Sequence, residues 1–125
     1  MSYPENLKYS KEHEWVKIDG GVATIGITHF AQDSLGDIVY VELPAVGKKF
    51  SAREELGVLE SVKSVSSLYC PVGGTVIEKN STLESRPELI NQSPYDEGWM
   101  VKIEMSDPTE LNLLLSAADY QKILR

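Results

Sequence analysis

Lys63 is the residue whose sequence setting best suits covalent chemistry. It lies in the run ESVKSV at 60–65, between two segments rich in strand-forming residues. The β-branched Val62 and Val65 bracket Lys63 and Ser64, and no Gly, Asn, Asp or Pro eases the chain reversal there. The pattern predicts a stiff hairpin that holds one amine at a fixed, projecting position. An enzyme that modifies a single lysine requires such a position.

The arms of this hairpin must be anchored if Lys63 is to be held in place. The predicted anchors are Leu56, Val58 and Val62 on the first arm, with Leu68 and Tyr69 on the second. Glu60, upstream on the first arm, could supply a charge that the modifying enzyme recognises. The residues alone leave the ordinary alternative open, because most lysines in turns are only solvated charges.

The other reactive residue types form no recognisable site in the sequence. Cys70 is the single cysteine and has no partner motif, which favours a structural role. His13 and His29 lack metal-ligand spacing, so we expect ordinary hydrogen-bonded histidines and no metal site. Gly73-Gly74 predicts a turn, since no phosphate-loop pattern accompanies it. The sequence therefore gives no positive case for an enzyme.

Composition limits the partners and the compartment. The 125 residues carry a formal net charge of −7, and no Lys/Arg cluster offsets it, which argues against nucleic acid. No apolar run approaches the length of a membrane span. The first five residues resemble neither a signal peptide nor a transit peptide. A lone cysteine fits a reducing compartment, so we expect a cytoplasmic protein, or a processed protein of the mitochondrial matrix.

Strand signals dominate the first two thirds of the chain. Runs at 15–18 and 22–27 flank Asp19-Gly20-Gly21, a strong hairpin signal. Further strands are predicted at 38–43, 56–62, 65–69, 75–78 and 99–105, and short helices around 28–34 and 87–91. Many short strands separated by turns indicate a mainly β sandwich or small barrel. With no linker or repeat, we expect one domain over 1–125.

Helical signals concentrate at the C-terminal end. Asp107-Pro108-Thr109-Glu110 places a capping side chain, a first-turn proline and an acidic residue in order. Ser116 indicates a second helix start. The predicted apolar faces are Leu111, Leu114 and Leu115 in the first helix, and Tyr120, Ile123 and Leu124 in the second. The sequence thus predicts a helical tail over about 107–125.

Along nearly its whole length the chain resembles the H-protein family of the glycine cleavage system. The matching segments are 13–16 (HEWV), 23–28 (ATIGIT), 31–33 (AQD), 35–44 (LGDIVYVELP), 60–65 (ESVKSV), 87–91 (PELIN), 94–95 (PY) and 98–99 (GW). A lysine between valine and serine is weak support by itself. Several ordered motifs at the family's spacing are far more specific.

The resemblance implies a fold, a cofactor and a set of partners. The fold would be the lipoyl/biotinyl-type barrel-sandwich hybrid with short helices, and Lys63 would carry lipoate in amide linkage. A pyridoxal-phosphate-dependent glycine decarboxylase would load the lipoyl group with an aminomethyl group. A tetrahydrofolate-dependent aminomethyltransferase would unload it, and an FAD-dependent dihydrolipoyl dehydrogenase would reoxidise it. A lipoate-attaching enzyme would modify Lys63, and the carrier would be a monomer without catalytic residues.

The resemblance also suggests a role for Glu14, which matches a family position that lines the region where the loaded arm is held. Our hypothesis is that Glu14 contributes to an acidic cleft that retains the cationic end of the arm. An exposed charge pair of this kind contributes about 1 kcal/mol or less.

Other readings of the sequence remain open. A lipoyl domain of a 2-oxo acid dehydrogenase complex is usually shorter and lacks the helical tail. Biotin carriers typically flank the lysine with methionines, where this chain has Val62 and Ser64. A lipoate relay protein that donates lipoyl groups to other complexes would share the sequence features described here. So would a β-rich interaction module whose lysine is never modified.

Overall fold

In the computed structural model, which describes residues 3–124, short strands alternate with short helices. The strands are β1 Lys8–Tyr9, β2 Glu14–Asp19, β3 Val22–Ile27, β4 Ile38–Glu42, β5 Lys49–Phe50, β6 Glu55–Ser61, β7 Val65–Tyr69, β8 Gly74–Lys79 and β9 Val101–Met105. The helices are α1 His29–Leu35, α2 Thr82–Ser85, α3 Leu89–Gln92 and α4 Ala117–Ile123, with a 3₁₀ helix at Pro108–Leu113.

The strands form two antiparallel sheets. The larger sheet has the order β1-β2-β3-β9-β8-β5, and the smaller has the order β4-β6-β7. Alternating apolar side chains of both sheets meet in one core cluster, which includes Ala23, Ile25, Leu59, Leu68 and Ile103. The predicted mainly β architecture is confirmed, and it sets the β6–β7 hairpin in the smaller sheet.

Several predicted elements are confirmed in detail. Asp19 pairs with Val22 across the first hairpin, so Gly20-Gly21 is a two-residue turn, with Gly20 at φ 62°. Helix α1 begins after Thr28, whose side chain accepts a hydrogen bond from the N–H of Ala31. Helix α3 lies where a short helix was expected, whereas α2 was not predicted because four residues leave little periodic signal.

The helical tail consists of the 3₁₀ helix and α4, and residue 125 lies outside the described residues. Asp107 and Ser116 cap these two helices through their side chains, as predicted. The prediction that Ile123 faces the core is wrong, because Ile123 is exposed and Ala117 packs beside Tyr120 instead. Leu124, which follows α4, is partly buried against the same cluster, so Ile123 lies on the outer side of this short helix.

A second apolar cluster fixes this tail to β1 and β2. Tyr120 is fully buried and stacks on Tyr9, with ring centroids 4.8 Å apart. Its hydroxyl lies 2.7 Å from Nδ1 of His13 and 2.8 Å from Oγ1 of Thr28. One hydroxyl group therefore joins α4, the start of β2 and the cap of α1.

Removal of that hydroxyl should destabilise the fold. Tyr120→Phe keeps the ring stack but leaves His13 and Thr28 without their shared partner, so we expect a loss of about 1–2 kcal/mol in the free energy of unfolding. Urea denaturation measures it. Tyr40→Phe, at a side chain that is 51% exposed, is the matched control, with an expected change below about 0.5 kcal/mol. Equal stabilities of the two variants would contradict this account of the cluster.

Candidate functional site

Lys63 lies at the tip of the β6–β7 hairpin, as predicted. Glu60 pairs with Val65, and the N–H of Ser61 donates to the carbonyl oxygen of Ser64 at 2.8 Å. The chain therefore reverses over Val62 and Lys63. This corrects the expected turn by one residue, because Val62 belongs to the reversal and not to the strand.

Ser61 stabilises this reversal through its side chain. Its Oγ accepts hydrogen bonds from the N–H groups of Lys63 at 3.3 Å and Ser64 at 3.0 Å. No residue of the hairpin has a positive φ, so the turn does not need glycine or asparagine. A serine hydroxyl that bonds to nearby backbone is a known turn signal, and Ser61 was not predicted to have this role.

The arms are anchored by fewer residues than expected. Leu56 and Leu68 are buried as predicted, and Leu59 is buried with them. The predictions for Val62 and Tyr69 are wrong: Val62 is 69% exposed because it sits in the turn, and Tyr69 is also exposed. A register shift between Glu55 and Gly57 lets Leu56 and Leu59 both face the core although they are three residues apart, which simple alternation could not reveal.

The segment that joins α1 to β4 supports the hairpin from one side. The N–H of Val62 donates to the carbonyl oxygen of Asp37 at 3.1 Å. The Lys63 side chain passes over Gly36, where an added Cβ would lie 3.4 Å from Cε of the lysine. Gly36 has φ 82° and ψ −161°, a conformation that is essentially restricted to glycine. Lys63 thus extends over a bare stretch of backbone into solvent, where its amine is accessible for modification.

The outer face of the small sheet carries two apolar side chains and one acidic side chain beside the hairpin tip. Tyr40 pairs with Glu60, and Glu60 with Val65, so the three side chains lie in one row beside the turn. Tyr40 and Val65 are exposed, and Glu60 is partly exposed. Glu60 is therefore accessible for the recognition role suggested from the sequence, which stays a prediction.

Glu14 is buried in the structure. Only 2% of the residue is exposed, and its carboxylate accepts hydrogen bonds from the Ser10 hydroxyl and, at 3.4 Å, from the N–H of Tyr69. Desolvation raises the pKa of this carboxyl to about 7, against the lowering effect of the two hydrogen bonds. The hypothesis that Glu14 contributes to the cleft for the arm stays a prediction. In the structure its carboxyl is buried.

The remaining reactive side chains, one cysteine and two histidines, make ordinary contacts within the fold. Burial raises the pKa of the Cys70 thiol to about 12, and its Sγ donates to the carbonyl oxygen of Val72. His13 contacts the Tyr120 hydroxyl, and Nδ1 of His29 lies 3.4 Å from Nε2 of Gln32. Across residues 3–124, no group of three or more His, Cys, Asp or Glu residues could hold a metal ion.

Fold and hairpin together define the class: a lipoyl/biotinyl-type barrel-sandwich hybrid that presents one lysine at a hairpin tip. Residues 7–125 match the family model described as "Glycine cleavage H-protein". The chain therefore belongs to the glycine cleavage H-protein family.

Individual relatives agree with this assignment. The chain is 60% identical over 117 residues to the glycine cleavage system H protein of Symbiobacterium thermophilum, an alignment that covers 94% of this chain and 91% of the relative. It is 54% identical to that of Bacillus subtilis over 123 residues, covering 98% and 97%. The crystal structure of the H protein from Mycobacterium marinum superposes with a TM-score of 0.90 at 35% identity, covering 98% of both chains.

Proposed function

We propose that Lys63 is the attachment site of a lipoyl group and that the chain is the lipoyl carrier of the glycine cleavage system. The observation that carries the proposal is the fixed, accessible lysine at the hairpin tip of a chain that belongs to this family. Hydrogen bonds to Ser61 and Asp37 hold the turn, and the Lys63 side chain, which passes over Gly36, is exposed to solvent.

The local chemistry fits an acyl group in amide linkage. Amide formation removes the charge of Lys63, and the exposed turn has room for a long arm. When bound, lipoate would supply a disulfide that is reduced as it takes up a one-carbon fragment, and the dithiol left after unloading would be reoxidised to the disulfide. The protein's own contribution is position, since Ser61 fixes the turn and the anchors of β6 and β7 fix the hairpin to the core.

The same proposal includes the partners and the setting. The glycine decarboxylase, the aminomethyltransferase, the dihydrolipoyl dehydrogenase and the lipoate-attaching enzyme would act on the carrier in turn. We place the carrier in the cytoplasm because the relatives described above are bacterial. The proposal also takes it as a monomer with residues 1–125 as one domain. Within the described part of the chain, no helix is long and apolar enough to cross a membrane.

Intact-mass analysis tests the proposed modification directly. The chain is expressed in cells supplied with lipoate and biotin, and we expect one lipoyl increment on nearly every molecule. One biotin increment would identify a biotin carrier, and the absence of any increment would identify an unmodified interaction module. Either of those two results overturns the proposal.

A further inference from the structure

Asn91, the last residue of the PELIN segment and part of helix α3, makes an unusually complete set of hydrogen bonds to the segment beneath Lys63. Its Oδ1 accepts from the N–H of Ile38 at 2.9 Å. Its Nδ2 donates to the carbonyl oxygen of Gly36 at 2.9 Å and to Oε1 of Gln32 at 3.0 Å. One side chain therefore forms hydrogen bonds with both ends of the Gly36–Ile38 segment.

That segment contacts the hairpin at three successive residues. Gly36 lies under the Lys63 side chain, the carbonyl oxygen of Asp37 accepts from the N–H of Val62, and Ile38 pairs with Ser61. Its ends have two further contacts, since the N–H of Gly36 donates to the carbonyl oxygen of Gln32 and the Ile38 side chain is buried in the core. Asn91 adds side-chain hydrogen bonds to the backbone at both ends of this connection between α1 and β4. Displacement of the segment would therefore move the support of the turn that carries Lys63.

We infer that Asn91 is a positioning residue for lipoate attachment, which acts through the Gly36–Ile38 segment to fix the turn around Lys63. This inference rests on the proposed lipoylation of Lys63 and assigns a task to a residue remote from it in sequence. Asn91 touches neither the lysine nor any group attached to it. Its effect is to reduce the number of orientations in which the amine is presented to the lipoate-attaching enzyme.

Asn91→Asp tests the inference with almost no change in shape. The carboxylate keeps an acceptor for Ile38 but loses both donated hydrogen bonds, and it places negative charge against the oxygens of Gly36 and Gln32. We expect kcat/KM for lipoate attachment to fall about tenfold, and the amide hydrogen of Val62 to exchange about tenfold faster, because its acceptor on Asp37 is no longer held. Asn91→Ser, which adds no charge but is too short to bridge the segment, is measured alongside and should behave alike.

Asn80 provides the matched control. It is buried where Asn91 is half-buried, and its Nδ2 donates to the carbonyl oxygens of Glu97 and Trp99, at the entry to β9 and away from the hairpin. Asn80→Asp should lower the free energy of unfolding as well, but leave lipoate attachment and Val62 exchange within about twofold of the parent chain. Thermal unfolding of every variant confirms that the rates are measured on folded protein.

The outcomes separate this inference from the proposed function. Parent-like attachment and parent-like Val62 exchange in both Asn91 variants would overturn the positioning role, and so would an equal loss in Asn80→Asp. Amide exchange needs no lipoate. If the parent chain accepted no lipoate, the proposed function would fail. The contact of Asn91 with the Gly36–Ile38 segment would then still be tested, and unchanged Val62 exchange in the Asn91 variants would refute its effect on the turn.

Discussion

Replacement of Lys63 by arginine should abolish lipoate attachment while leaving the fold intact. The arginine side chain keeps the positive charge and much of the length, but its guanidinium stays protonated and cannot act as the acyl acceptor. Lys63 is exposed, so the free energy of unfolding should change by less than about 0.5 kcal/mol. Intact mass after expression with lipoate, together with urea denaturation, measures both effects.

Another exposed lysine, which lies on a strand and not at a hairpin tip, serves as the control for this variant. Lys17 lies on β2, and Lys17→Arg should be modified to the same extent as the parent chain. A lipoyl increment that persists in Lys63→Arg would place the modification elsewhere. Loss of the increment in both variants would show that the effect is not specific to Lys63, because neither substitution changes the surface charge.

Glu14→Gln should change the dependence of stability on pH. The folded carboxyl has a pKa raised to about 7, whereas an unfolded glutamate ionises near its usual pKa of about 4.3. Between these values the folded protein holds a proton that the unfolded chain has lost, so the parent loses stability as pH rises from about 5 to 7. Glutamine does not titrate. The stability of the variant relative to the parent should therefore increase by about 1–3 kcal/mol between pH 5 and pH 8.

Denaturation of both proteins across this pH range tests the prediction. The difference in slope is informative even if the substitution disturbs the hydrogen bonds to Ser10 and Tyr69, because that disturbance adds an offset that does not vary with pH. A constant stability difference from pH 5 to pH 8 would mean that the Glu14 carboxyl is solvated in the folded protein. The same result would remove the physical basis for assigning it a special electrostatic role.

Local sequence signals predicted most of the strands and the hairpin that carries Lys63. The Asp19-Gly20-Gly21 turn and the alternation along β3 depend on neighbouring residues alone, and both are confirmed. The exact reversal was misplaced by one residue, since the buried Ser61 hydroxyl supports the turn without the usual turn residues. The register shift in β6 was also invisible, because a bulge leaves the composition of a strand unchanged.

The support beneath Lys63 could not be predicted because it comes from distant parts of the chain. Gly36 comes to lie under the hairpin only after β4 pairs with β6, and Asn91 bonds to Gly36 only after α3 packs near α1. The burial of Glu14 has the same origin: its neighbours Ser10 and Tyr69 converge only in the folded protein. The family resemblance identified PELIN as a matching segment, but not the contacts that Asn91 makes.

The most direct test of the central claim is the exchange of label between bicarbonate and the carboxyl group of glycine. The assay combines the purified glycine decarboxylase with the fully lipoylated chain, as verified by intact mass, and uses unlipoylated chain as the control. We predict exchange that rises with the concentration of lipoylated carrier and is at background with Lys63→Arg. Background exchange with fully lipoylated chain would contradict the glycine cleavage role and favour a lipoate relay.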